Sequence, residues 1–176
     1  LAWFERLIDP YPEAVPPTPP RGFFAFLWAC TRGLRRYLLA MTLLTAAIGA
    51  FEALLFSMLG GIVDWLAAAE PARLWSEHRG KLLLLAAVLA GSTVLVALQS
   101  AIKQQTLVGN FPMRLRWNFH RLMLGQSMSF YQDEFAGRIA TKVMQTALAV
   151  REVWLIVAEM LVFVTIYFVT LLSVLG

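Results

Sequence analysis

Apolar positions along the chain fall into three long blocks separated by charged or proline-bearing stretches. Tyr37 to Val63 is interrupted only by Glu52. Its roughly 27 residues span about 40 Å at the helical rise of 1.5 Å per residue, more than the ~30 Å hydrocarbon core of a bilayer. Leu82 to Ile102 carries no formal charge, and Leu155 to Leu175 carries only Glu159, near its start. Inside lipid every backbone N–H and C=O must be paired within the chain, so runs of this length become helices. Short alternating strands, the mark of a membrane β-barrel, are absent from the sequence. The pattern predicts an all-α polytopic membrane protein with three long transmembrane helices, at about 37–66, 80–125 and 137–176.

The stretch between the second and third blocks, Lys103 to Trp154, has few loop signals and a single proline, Pro112. Leu115, Phe119, Leu122 and Met123 recur at helical spacing, as do Ile139, Val143, Ala147 and Val150. Both helices are therefore expected to continue past the membrane as a hairpin, with its tip in 127–137 and an arm of about 25 residues reaching roughly 35–40 Å. Pro112 is expected to kink the descending arm. At the other end, 1–20 is a proline-rich arm in which Pro10, Pro12, Pro16, Pro17, Pro19 and Pro20 favour extended backbone. Residues 21–36 place Phe23, Phe24, Phe26 and Trp28 before Arg32, Arg35 and Arg36. That order suits a helix lying in the headgroup plane; the alternative is an N-terminal extension of the first span.

Composition supports lipid as the solvent. Apolar residues make up 59% and charged residues 15% of the chain, against about 25% charged in an ordinary soluble domain. Mean hydropathy is +0.66. The net charge of +4 comes from residues flanking the apolar blocks rather than forming a stripe, which argues against nucleic acid as a partner. Five arginines precede Tyr37, three basic residues lie in the first connection and seven in the second. By the positive-inside rule the N-terminus and the second connection are cytoplasmic. Cys30 is the only cysteine, so no intrachain disulfide or cysteine-based zinc site is expected. His78 and His120 read as polar flank residues. No signal-peptide pattern is visible, and the non-Met start and the apolar run before Gly176 suggest a chain cut at both ends.

Glu52, near the middle of the first span, stands out because a carboxyl there must face protein or a water-filled cavity. It can attract a cationic substrate or carry a proton, or it can serve as a structural partner to a polar side chain on another helix. Gln99 and Glu159 carry the same two readings. Asp64 suits the interface, Tyr37, Trp65 and Trp75 suit the aromatic belts, and Gly60-Gly61 suits close helix packing. At the tip, Phe130, Tyr131 and Phe135 are aromatic anchors that fit a groove on a partner or staple the two arms together. Gly137 permits the turn into the last helix, and Arg138 pairs with a partner or caps the hairpin. No nucleophile and base stand together as a catalytic constellation, and no phosphate-binding G-x-x-x-x-G-K-[ST] loop occurs.

Three features resemble a known family: Leu59-Gly60-Gly61-Ile62-Val63-Asp64, Met128-Ser129-Phe130-Tyr131-Gln132-Asp133-Glu134-Phe135-Ala136-Gly137-Arg138-Ile139, and the layout of an aromatic elbow before the first span. Together they resemble the N-terminal half of the transmembrane domain of an ATP-binding cassette (ABC) exporter, of the kind with six helices per subunit. Gln132, Thr141-Lys142 and Gln145-Thr146 depart from that family's usual residues. The resemblance implies a first coupling helix at Ser129, Phe130, Tyr131, Gln132, Asp133, Glu134, Phe135, Gly137 and Arg138, docked on a nucleotide-binding domain. It implies a translocation pathway for an exported substrate, of a drug or lipid kind, to which Glu52, Gln99 and Glu159 are assigned. ATP and Mg would be bound by a nucleotide-binding domain outside this chain, with no cofactor in the chain itself. A second transmembrane half and a second subunit, identical or not, would complete a dimer in the inner membrane, with the N-terminus cytoplasmic. The rival reading is a non-transporting membrane adaptor whose hairpin binds a soluble partner; a membrane-embedded enzyme subunit using Glu52 is a third.

Overall fold

The computed structural model describes residues 2–68, 74–133 and 136–175. Every regular element among them is helical: α1 (Ala2–Glu5), α2 (Phe23–Cys30), α3 (Arg35–Ala68), α4 (Leu74–Ala101), α5 (Asn110–Leu124), α6 (Met128–Asp133), α7 (Ala136–Leu155) and α8 (Val162–Leu175). Two π-helical segments, Ile102–Val108 and Ile156–Leu161, join α4 to α5 and α7 to α8. Three stretches are long and apolar enough to cross a membrane: Arg35–Phe56, Leu82–Leu124 and Gly137–Val174. The latter two run for 43 and 38 residues, well beyond the roughly 20 residues that a hydrocarbon core requires. The expectation of an all-helical chain with three membrane-length helices therefore holds.

The chain divides into two compact units, one of residues 1–41 and 100–158, the other of 42–99 and 159–176. In the first, α5 packs along α7, and the segment Ile102–Val108 packs on α1 and α5. Leu107, Phe111 and Leu115, one helical turn apart, are buried along with Ala147 and Val150 of α7. One face of this long helix is a ladder of donors to the N-terminal arm. Thr106 Oγ1 donates to the Phe4 carbonyl at 3.0 Å and Asn110 Nδ2 to Glu5 at 2.8 Å. Arg114 Nη1 donates to Asp9 at 3.0 Å and Trp117 Nε1 to Pro12 at 3.1 Å. Arg121 Nη1 donates to the carbonyls of Pro12 and Glu13. Because proline-rich backbone cannot pair with itself, its carbonyls are satisfied by side chains recurring every three or four residues.

α2 is a separate helix, not an extension of α3. Thr31 Oγ1 donates to the Trp28 carbonyl at 2.8 Å, and Gly33 then adopts φ +77° before α3 begins. Trp154 Nε1 donates to the Leu27 carbonyl at 3.1 Å, and Phe26 stacks on Phe119, tying α2 to α7 and α5. Only glycine takes the left-handed turn at Gly33 without penalty. Gly33→Ala should lower stability by about 1–2 kcal/mol, read as a lower thermal midpoint in detergent; an unchanged midpoint would argue against this turn.

The kink expected at Pro112 takes another form. Pro112 sits in the first turn of α5, and the register change lies just before it, in the π segment and at Gly109. Proline offers no N–H to the carbonyl four residues back, Val108. Arg151 Nη1 of α7 reaches that carbonyl at 3.5 Å.

In the second unit, α3 presents Thr45, Gly49 and Ala53, all buried, at four-residue intervals. A Cβ added at Gly49 would lie 3.2 Å from the Phe163 carbonyl and 3.4 Å from its ring, so α3 and α8 meet backbone to backbone there. Small residues at this spacing are how helices approach closely in lipid. Gly61 has open space around it instead, so close packing in the described residues falls to Gly49 rather than Gly61. Large apolar side chains such as Leu84, Val94, Phe168 and Leu172 are exposed in this unit, as a surface solvated by acyl chains requires.

Candidate functional site

The hairpin tip is built by a break and a short helix. α5 ends at Leu124 with Gly125 as its cap, and Gln126 N–H closes the last turn on the Met123 carbonyl at 2.9 Å. α6 follows, with the Ser127 and Ser129 hydroxyls hydrogen-bonded at 2.8 Å. Tyr131 Oη donates to the Met123 carbonyl at 2.5 Å, and the Phe130 ring meets Tyr131 edge-on at 5.4 Å between centroids. Phe130 is half-buried, Gln132 is exposed, and Met128 is 76% exposed. Asp133 ends α6, while Glu134 and Phe135 lie outside the described residues. Gly137 and Arg138 start α7, where Thr141 Oγ1 donates to the Gly137 carbonyl at 2.8 Å and Arg138 is exposed. Beside Tyr131, α5 and α7 flank an open, largely apolar groove of about 590 Å³ lined by Met113, Arg116, His120, Met123, Val143 and Met144. Tyr131 thus does structural work in the hairpin, and α6 offers a short, largely exposed polar surface with an aromatic pair at its back.

A second group of polar side chains lies within the membrane-length helices. Gln99, only 8% exposed, donates its amide to Thr45 Oγ1 and to Glu159 Oε1, each at 3.4 Å. Glu159 sits in the π segment Ile156–Leu161. A π turn inserts an extra residue into the helical register and re-aims the side chains around it, and such turns favour functional sites. The triad links α3, α4 and the last long helix through one amide with two donor hydrogens. Glu52 is half-buried on α3, and among the described residues it has no hydrogen-bond or ion-pair partner. The structure therefore brings Gln99 and Glu159 together, and among the described residues no hydrogen bond joins Glu52 to them. Thr45 and Gly49 were not singled out from the sequence; their small-residue spacing with Ala53 was the available signal.

Among the described residues no group of three His, Cys, Asp or Glu is arranged to hold a metal ion. Desolvation pushes the Cys30 thiol up to about 11, so at neutral pH it is a protonated thiol rather than a nucleophilic thiolate. What the arrangement offers is a polar crossing point inside apolar helices and a hydrogen-bonded tip.

These features define a helical chain of membrane type, and its relationships point the same way. No family model matches the chain, and no solved structure matches it. It is 53% identical over 170 residues to a Haemophilus influenzae protein named as an uncharacterized ABC transporter ATP-binding protein. The match covers 97% of this chain and 28% of that protein, so the chain spans little more than a quarter of its relative's length. The chain is thus related to an ABC transporter protein.

Proposed function

We propose that this chain is the N-terminal half of the transmembrane domain of an ABC exporter, acting with a second transmembrane half, nucleotide-binding domains and a second subunit in the inner membrane. The observation that carries this reading is the paired helices Leu82–Leu124 and Gly137–Val174, each far longer than a bilayer, with the short helix α6 between them. ATP binding closes nucleotide-binding domains held outside this chain. The tip at Ser129, Phe130, Tyr131, Gln132, Asp133, Glu134, Phe135, Gly137 and Arg138 follows that closure, and the long helices carry it to the membrane. There the Thr45–Gln99–Glu159 group and Glu52 face the substrate path in alternating inward and outward states. The bonds of Gln99 tie three helices that would move together. The relative's name supports the transporter class.

The orientation is testable through the single cysteine. Cys30 is slow to alkylate at neutral pH because its thiol is held protonated, so Met128→Cys, with any cysteines outside this chain replaced, gives a clean signal. Met128→Cys should react with a membrane-impermeant maleimide in inside-out vesicles and not in intact spheroplasts. Labelling of intact spheroplasts would place the hairpin on the wrong side for a nucleotide-binding partner.

A further inference from the structure

A second cavity of about 540 Å³ lies between the 12–20 arm, α2 and α5. Among the described residues its charged lining is Arg32, Arg35 and Arg114, with no acidic residue. Arg35 is fixed in place by neutral partners only. Its Nε donates to Thr31 Oγ1 at 3.2 Å, its Nη2 to the Trp28 carbonyl at 3.3 Å, and its guanidinium carbon lies 4.3 Å from the Trp28 ring centroid. Arg114 donates Nη1 to the Asp9 carbonyl, while its Nε is buried with no hydrogen-bond partner. Arg32 is exposed. Among the described residues, none of the three forms an ion pair. Arg32 and Arg35 are exposed to solvent, and three guanidinium groups lining one cavity give it a positive potential that attracts an anion.

The neighbouring surface indicates which anion. α2 bears Phe23, Phe24 and Trp28 at 65%, 82% and 54% exposure. An exposed aromatic face beside a cationic cavity matches the two parts of a phospholipid, acyl chains and phosphate. Arginine forks suit phosphate oxygens, and basic pockets at membrane surfaces bind anionic headgroups. The volume falls in the range of about 300–1,000 Å³ typical of ligand sites. We propose that this cavity binds the phosphodiester headgroup of an anionic phospholipid through Arg32, Arg35 and Arg114, with the acyl chains lying along the aromatic face of α2. The bound lipid neutralises the cluster and holds the proline-rich arm against α2 and α5. This inference does not depend on the exporter reading.

The test is native mass spectrometry of the complete protein in a non-ionic detergent, titrated with dioleoyl-phosphatidylglycerol, dioleoyl-phosphatidylcholine or inorganic phosphate. Phosphatidylglycerol should bind in clear preference to phosphatidylcholine, and inorganic phosphate should not displace it. Arg32→Gln with Arg114→Gln should weaken phosphatidylglycerol binding by about tenfold or more, the loss of two charged hydrogen-bonding groups. Arg21→Gln, outside the cavity, should leave it unchanged. Circular dichroism checks that the variants keep their helical content. If the Arg114 change unfolds the protein, Arg32→Glu alone decides, because Arg32 is exposed and its reversal should abolish the preference. Equal binding of the two lipids, full retention by the arginine variants, or displacement by inorganic phosphate would each overturn the assignment.

Discussion

Replacing Phe130 and Tyr131 together by alanine in the complete protein is expected to bring substrate-stimulated ATPase activity down to its unstimulated level, with assembly and basal hydrolysis intact. On the docking proposed above, a tip this small leaves a few aromatic anchors to carry most of the contact energy, and truncating such anchors costs about 2 kcal/mol or more each. That is roughly a thirtyfold or larger weakening per anchor. The structure adds a way to separate docking from scaffolding. Tyr131 Oη donates to the Met123 carbonyl, so Tyr131→Phe removes the staple and keeps the ring. Coupling retained in Tyr131→Phe but lost in the double alanine variant indicates a docked ring. Equal loss in both indicates that Tyr131 acts only by holding the hairpin together.

The second large effect is expected at Gln99. Gln99→Leu removes the one amide that bonds both Thr45 and Glu159, so the link between their helices through that side chain is lost. A loss of about 1–3 kcal/mol in unfolding free energy is expected. Gln99→Glu should be worse than Gln99→Leu, because it sets two carboxyl groups within hydrogen-bonding distance where charge is poorly solvated. Thermal unfolding in detergent reads both, and substrate transport should fall with stability in the same order. If Gln99→Leu is as stable as the parent, the three-helix link contributes nothing.

The membrane-length helices were legible because lipid imposes a length and an apolarity that composition alone can satisfy. The hairpin was legible because its apolar positions keep a helical period from Leu115 to Met123 and from Ile139 to Val150. Other features were hidden for physical reasons. Gln99 and Glu159 each stood out as polar residues in apolar runs, yet their pairing depends on how helices distant in sequence pack, which periodicity does not encode. The donor ladder from Thr106 to Arg121 was invisible because its acceptors are backbone carbonyls, which have no side-chain signature. The Arg151 contact with Val108 answers a carbonyl left by Pro112; the proline announced the vacancy, and the sequence did not name the donor. Gly60-Gly61 drew attention as a doublet, whereas the glycine that lets α3 and α8 meet is Gly49, set among small residues four apart.

Whether α6 rests against a nucleotide-binding domain can be read by a photo-crosslink at its aromatic pair. With p-benzoylphenylalanine in place of Phe130 in the complete protein, irradiation should join the tip to a nucleotide-binding domain, with a yield that changes when ATP is bound. Adducts confined to the hairpin or to lipid, in the presence and absence of ATP, would mean that α6 does not dock on a nucleotide-binding domain.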